Sequence, residues 1–205
     1  MIGSAWRRWL RGVVAGAGMV CLAAGTAGAI AVELDATAIQ KLIEEGKQMK
    51  AEDIKNIPTR FGADLSKDVC GGGGYLETKT LGLTRYGARI AADPAGAEQN
   101  KEQVEAAIKK LAESKRLKIV FDFCGDTVDF AEGSSATLEQ GGKMVKGESA
   151  KPDKAKKNEK GPAYRGKIAA SFAYGSFDPK APTKITLFPP IGDAMSWEVD
   201  FSTIR

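Results

Sequence analysis

The sequence predicts an α+β protein: N-terminal helices followed by an antiparallel β-meander or β-sandwich of about six strands. Three observations carry that prediction. Apolar residues recur at helical spacing in two stretches before residue 116. From Leu117 the period switches from helical to alternating. The alternating runs are joined by short glycine-bearing loops, which suit antiparallel neighbours.

The first segment stands apart from the fold. Arg7, Arg8 and Arg11 form a positively charged start, and Val13 to Ala24 is an uncharged run rich in Ala, Gly and Val. Ala27-Gly28-Ala29 and Ala29-Ile30-Ala31 each offer the paired small residues that a signal peptidase requires. Residues 1–29 therefore read as a cleavable signal peptide, with a second cut position after residue 31. The alternative is a retained anchor, because the uncharged run from Gly12 to Val32 is 21 residues long, about the span of a bilayer. Its Gly and Ala content makes it only mildly apolar, which favours cleavage. Arg7-Arg8 also resembles a twin-arginine export signal, alongside ordinary secretion. The residues before Cys21 do not make a lipoprotein box. The mature protein is expected in the periplasm or secreted, with no stable membrane anchor after processing.

Removal of 29 of the 205 residues leaves 176, which suits a single domain over residues 30–205. Loss of three arginines lowers the net charge from +4 to +1, so the basic balance is no argument for a nucleic-acid partner. Cys70 and Cys124 survive processing, and an even count in an oxidising compartment predicts a disulfide between them.

Element by element, Asp35 or Thr37 can cap a helix carrying Ile39, Leu42, Ile43 and Met49 on one face. Gly46 weakens its last turn. A second helical turn around Glu52 to Asn56 stops at Pro58. Residues 59–75 are irregular and end in four glycines, Gly71 to Gly74. Tyr75-Leu76-Glu77 follows where a phosphate loop would place Lys-Ser/Thr, so the run reads as a flexible joint. Tyr75 to Ala91 reads as one or two strands, interrupted by Gly82 and Gly87. Ala97 to Lys115 is the clearest helix, with Val104, Ala107, Ile108, Leu111 and Ala112 in one apolar stripe.

Leu117, Ile119, Phe121 and Phe123 then share one face of a strand. Gly125-Asp126 reads as a hairpin turn into a strand from Thr127 to Phe130, and Gly141-Gly142 as a second turn between Thr137–Gln140 and Lys143–Lys146. Lys167 to Tyr174, Lys184 to Phe188 and Ser196 to Phe201 complete the strands. Between them Lys146 to Arg165 has no apolar period. Lys143 to Lys167 holds nine Lys/Arg against three acids, a local charge of +6, and leaves −5 on the rest of the mature chain. This composition reads as a disordered basic insert over residues 146–165.

The chain has no histidine. That excludes Ser-His-Asp and Cys-His catalysis and every histidine-ligated zinc, copper or haem site. No cofactor and no metal are expected. One candidate carboxylate cluster remains, Asp122, Asp126 and Asp129 around the Gly125-Asp126 turn. If the hairpin forms, Asp122 and Asp129 face each other and can work as acid and base in glycoside cleavage, or hold Ca²⁺ with backbone carbonyls. The alternative is a solvated turn. Like charges across a strand pair are unfavourable, a hint that something cationic sits there. The second candidate is the insert itself: Lys151, Lys154, Lys156, Lys157 and Lys160 can dock on an anionic envelope component or an acidic protein. With Tyr164 its only aromatic, it lacks the base-stacking surface of a nucleic-acid binder. Tyr174, Phe177, Trp197 and Phe201 read as core. The function expected from all this is a non-enzymatic exported accessory, binding or structural protein of the periplasm or cell envelope. The alternative is a carboxylate-based, glycosidase-like hydrolase centred on Asp122, Asp126 and Asp129.

Overall fold

The computed structural model describes residues 29–50, 53, 59–63, 70, 72–150, 152–159 and 161–204. The expected signal peptide apart from Ala29, together with Lys151, Lys160 and the expected helical turn near Glu52 to Asn56 apart from Asp53, lies outside the described residues.

Helix α1 (Ala36–Gln48) starts where Asp35 accepts the N–H of Ala38 at 2.7 Å, satisfying one of the free donors of the first turn. Strand β1 (Arg60–Gly62) and strand β2 (Gly73–Glu77) follow. The expected strand pair from Tyr75 to Ala91 is corrected beyond Glu77. Thr78 accepts the N–H of Leu81 and opens helix α2 (Lys79–Ala92), whose Leu81, Leu83, Thr84 and Gly87 are buried. Tertiary packing overrides the poor helix propensity of its glycines. A Cβ on Gly87 would lie 2.1 Å from the carbonyl oxygen of Ile43 in α1, and one on Gly46 would lie 2.0 Å from that of Thr84 in α2. Gly46 is thus a contact surface, not a frayed turn.

The expected long helix from Ala97 to Lys115 is two helices. Asp93 caps α3 (Pro94–Gln99) by accepting the N–H of Gly96, with Pro94 in its first turn, where a missing N–H is harmless. Asn100, at φ −111° and ψ 31°, breaks the run before α4 (Lys101–Ala112). The stripe Val104, Ala107, Ile108, Leu111 and Ala112 is half-buried, as its spacing predicts.

All strand pairs are antiparallel and form two sheets. In the first, β1 and β2 are followed by β3 (Arg116–Gly125), β8 (Tyr164–Ala173) and β6 (Glu148–Ser149), with β7 (Lys156–Lys157) also on β8. The second runs β10 (Met195–Asp200), β9 (Pro182–Phe188), β4 (Ser135–Gln140), β5 (Lys143–Lys146). One core joins the two layers. Leu117, Ile119, Phe121 and Phe123 of β3 and Ile168, Ala170 and Phe172 of β8 meet Leu138, Ile185, Leu187 and Val199 of the second sheet. Each fully buried Phe or Leu there stabilises by roughly 1.5–3 kcal/mol.

Four local features position the outer face. The hairpin β4–β5 turns through Gly141 and Gly142, both at positive φ (55° and 80°), as a two-residue loop with right-handed strands requires. At Gly147 the chain then leaves the second sheet for the first. Its N–H donates to Ala136 O at 2.8 Å, and a Cβ there would lie 2.6 Å from the Phe172 ring. The expected Gly125-Asp126 hairpin does not form. Residues 126–133 are bends and turns, Phe130 is buried, and a Cβ on Gly125 would lie 2.4 Å from Phe130. Gly125 is there to admit a ring. Finally, the stretch from Lys146 to Arg165, expected as a disordered loop, carries β6 and β7. Its Ala150 and Asp153 N–H groups also donate to Ala169 and Lys167 of β8.

Candidate functional site

Strand alternation sends Phe121, Phe123 and Ile168 into the core, so Asp122, Arg165 and Lys167 fall on the opposite face of the first sheet. Asp122 is nevertheless buried, at 3% exposure. Its ladder partner is Lys167, whose ammonium lies 3.7 Å from Oδ2. The diagonal neighbour Arg165 makes the stronger contact: Nε donates to Oδ1 at 2.7 Å and Nη2 to Oδ2 at 2.8 Å. A two-point guanidinium–carboxylate contact is among the strongest charge-assisted pairs. The hydrogen bond to Asp122 raises the Arg165 pKa above its ordinary value, against the opposing effect of burial.

The same face opens into a groove of about 320 Å³ lined by Asp122, Asp153, Lys154, Lys156, Arg165, Gly166 and Lys167. Four cations face two carboxylates, and one of those carboxylates is held by Arg165. The surplus is positive and comes from short segments placed by backbone bonds to β8. Lys156 pairs with Arg165 and Lys157 with Tyr164 in the β7–β8 ladder. Lys154, Lys156 and Lys157 are exposed, while Lys151 and Lys160 lie outside the described residues.

The predicted Cys70–Cys124 disulfide is present, with a Cα–Cα separation of 5.2 Å. It anchors the basic segment through Asn158. The Asn158 side-chain amide donates to Cys124 Sγ at 3.2 Å, Cys70 Sγ at 3.4 Å and Pro162 O at 3.1 Å, while its backbone N–H donates to Ala163 O at 3.0 Å. The turn after β7 is thereby closed on the disulfide. Sequence reasoning missed both Asn158 and Arg165. The signal was present in Asn158 followed by Gly161-Pro162, a turn signature ahead of the alternating run of β8.

The three candidate carboxylates do not converge as expected. Asp122 faces Lys167 and not Asp129, because no strand follows the Gly125-Asp126 step. Asp126 and Asp129 are exposed in the following turn, and Asp126 lines a different groove, beside Phe123 and Ile191. The cation anticipated beside Asp122 is supplied by the protein, as Arg165 and Lys167. Among the described residues no group of three or more Cys, Asp or Glu side chains is arranged to hold a metal. Tyr174, Phe177 and Phe201 are core and Trp197 packs against it, its ring 5.3 Å from that of Phe61. No helix among the described residues is long and apolar enough to cross a membrane.

The chain matches no family model, and no curated protein or solved structure matches it significantly. What the site can do chemically rests on its own residues: it offers ammonium donors to an oxyanion.

Proposed function

We propose that the protein is a non-enzymatic accessory or binding domain, exported to the periplasm or cell envelope, that docks on an anionic envelope component through the face of β7 and β8. The observation that carries this reading is the groove in which Lys154 and Lys156 stand clear of the Asp122–Arg165 pair, with Lys167, 3.7 Å from Asp122 Oδ2, as the third ammonium on the same face. The leader and the disulfide support the export part of the reading. The hydrolase alternative draws no support from Asp122 and Asp126, which line separate grooves.

A lysine near an anionic surface contributes about 1 kcal/mol of attraction, so replacing three removes about 3 kcal/mol, roughly a hundredfold in affinity. Sedimentation with phosphatidylglycerol vesicles at low salt tests this. The protein should pellet with them, release as salt is raised, and lose retention in the triple variant Lys154→Gln, Lys156→Gln, Lys167→Gln. Inorganic polyphosphate as competitor separates a lipid headgroup from a free phosphate polymer. Equal retention of the triple variant ends the proposal.

A further inference from the structure

A second groove lies at one end of the sandwich. It is about 430 Å³ in volume and lined by Phe123, Phe130, Pro162, Pro189, Ile191 and Met195. Ile191 in its lining is 77% exposed, the most open to water of the large apolar side chains among the described residues; Val128 (56%) and Phe188 (38%) adjoin the lining residues Thr127 and Pro189 in sequence. An exposed apolar side chain set in an apolar concave surface is the kind of feature that marks a contact site.

The charge on two of its loops is negative. Residues 126–134 and 189–194 carry Asp126, Asp129, Glu132 and Asp193, all exposed, while the turn between β7 and β8 adds Pro162 to the lining. Neither residues 119–142 nor residues 185–204 contain a single Lys or Arg. Asp126 and Asp193 both line the groove. This is the reverse of the β7–β8 face, where the cations collect.

We infer that this groove binds a partner protein's peptide segment in which apolar side chains are flanked by lysine or arginine. The apolar residue would cover Ile191 and Met195, and its basic neighbours would meet Asp126 and Asp193. Apolar contact supplies affinity, while the rim carboxylates select sign and speed encounter.

The probe is a capped hexapeptide of two leucines between lysine pairs, compared with its glutamate counterpart. Both are titrated into the full chain and into the chain lacking residues 1–29, which retains every described core residue from Ile30 to Ile204. The lysine peptide should bind and the glutamate peptide should not. Ile191→Asp should weaken binding about tenfold, a change that an exposed side chain permits without unfolding. Asp126→Asn with Asp193→Asn should weaken it less and remove its salt dependence. The Lys154, Lys156 and Lys167 triple variant should bind the peptide at least as well as the wild type, which separates this site from the anion-docking face. Equal binding of the two peptides, or no effect of Ile191→Asp, overturns the inference. Binding that appears only without residues 1–29 assigns the groove to the chain's own Trp6-to-Arg11 segment and overturns it too. So does concentration-dependent dimerisation that Ile191→Asp abolishes.

Discussion

Asp122 is held by Arg165, its diagonal neighbour on β8, more closely than by Lys167, the residue directly across the ladder. The carboxylate is buried and the guanidinium half-exposed, so the two halves of the pair are not equivalent. Arg165→Met strands a buried charge and should destabilise by about 2–4 kcal/mol, reduced somewhat by Lys167. Asp122→Asn leaves a cation that can reach water and should destabilise by only about 1–2 kcal/mol. Urea denaturation of the two variants checks the order; the reverse order would mean that the carboxylate is not the buried partner.

Gly46 and Gly87 should both resist alanine. Helix propensity alone favours Ala by about 1 kcal/mol, yet either Cβ would fall within 2.1 Å of a carbonyl oxygen on the other helix. Each substitution should lower stability by roughly 1–3 kcal/mol through overpacking. Gly175→Ala, with nothing within 4 Å of its new methyl, should be near neutral. Thermal unfolding of the three variants distinguishes the contact from the propensity.

Tyr174 gives an alkaline signature. Burial pushes its phenol up to about 12, with the Lys79 backbone opposing. The folded state therefore holds the proton more tightly than the unfolded state. That stability is fully present below the ordinary tyrosine value of about 10 and is lost as pH rises from there through the folded value. Two pH units correspond to about 2–3 kcal/mol. Lys79, whose pKa burial lowers, acts with the opposite sign over a neighbouring range, but it is common to wild type and Tyr174→Phe. The stability difference between those two proteins should shift by roughly 2 kcal/mol toward the Phe variant between pH 10 and 12. A constant difference would place the phenol in water.

The disulfide should matter twice. Closing a chain separation of 54 residues stabilises by about 4 kcal/mol at the upper end of what such links deliver. Locally, it holds Asn158. Asn158→Ala in the oxidised protein should keep most of the global stability and speed amide exchange at Asn158 and Tyr164, beside the turn. Exchange unchanged at those amides would show that the β7–β8 ladder closes the turn unaided.

Much of the strand architecture was legible because a half-buried strand writes its own period. Leu117, Ile119, Phe121 and Phe123 read correctly, and Gly141-Gly142 read correctly because both residues adopt the positive φ that a two-residue turn demands. The errors share a cause. Gly46, Gly87 and Gly125 are glycines required by a neighbour distant in sequence or by a ring, and a sequence shows a glycine without showing what presses on it. Reading them as breakers or turns moved α2 into the sheet and placed Asp129 across from Asp122. The basic stretch misled for a similar reason: its short strands are ordered by β8 and by Asn158 on the disulfide, not by an apolar face of their own.

The step at Gly147 has a wider consequence. The chain visits the first sheet, then the second through β4 and β5, then the first again through β6, β7 and β8, and returns to the second at β9. Neither layer is made from one continuous stretch, so no cut at a single loop can release half of the molecule as an autonomous unit. Synthesis must run nearly to Asp200 before the last strand can seat. A nascent chain halted earlier exposes bare sheet edges to whatever meets it.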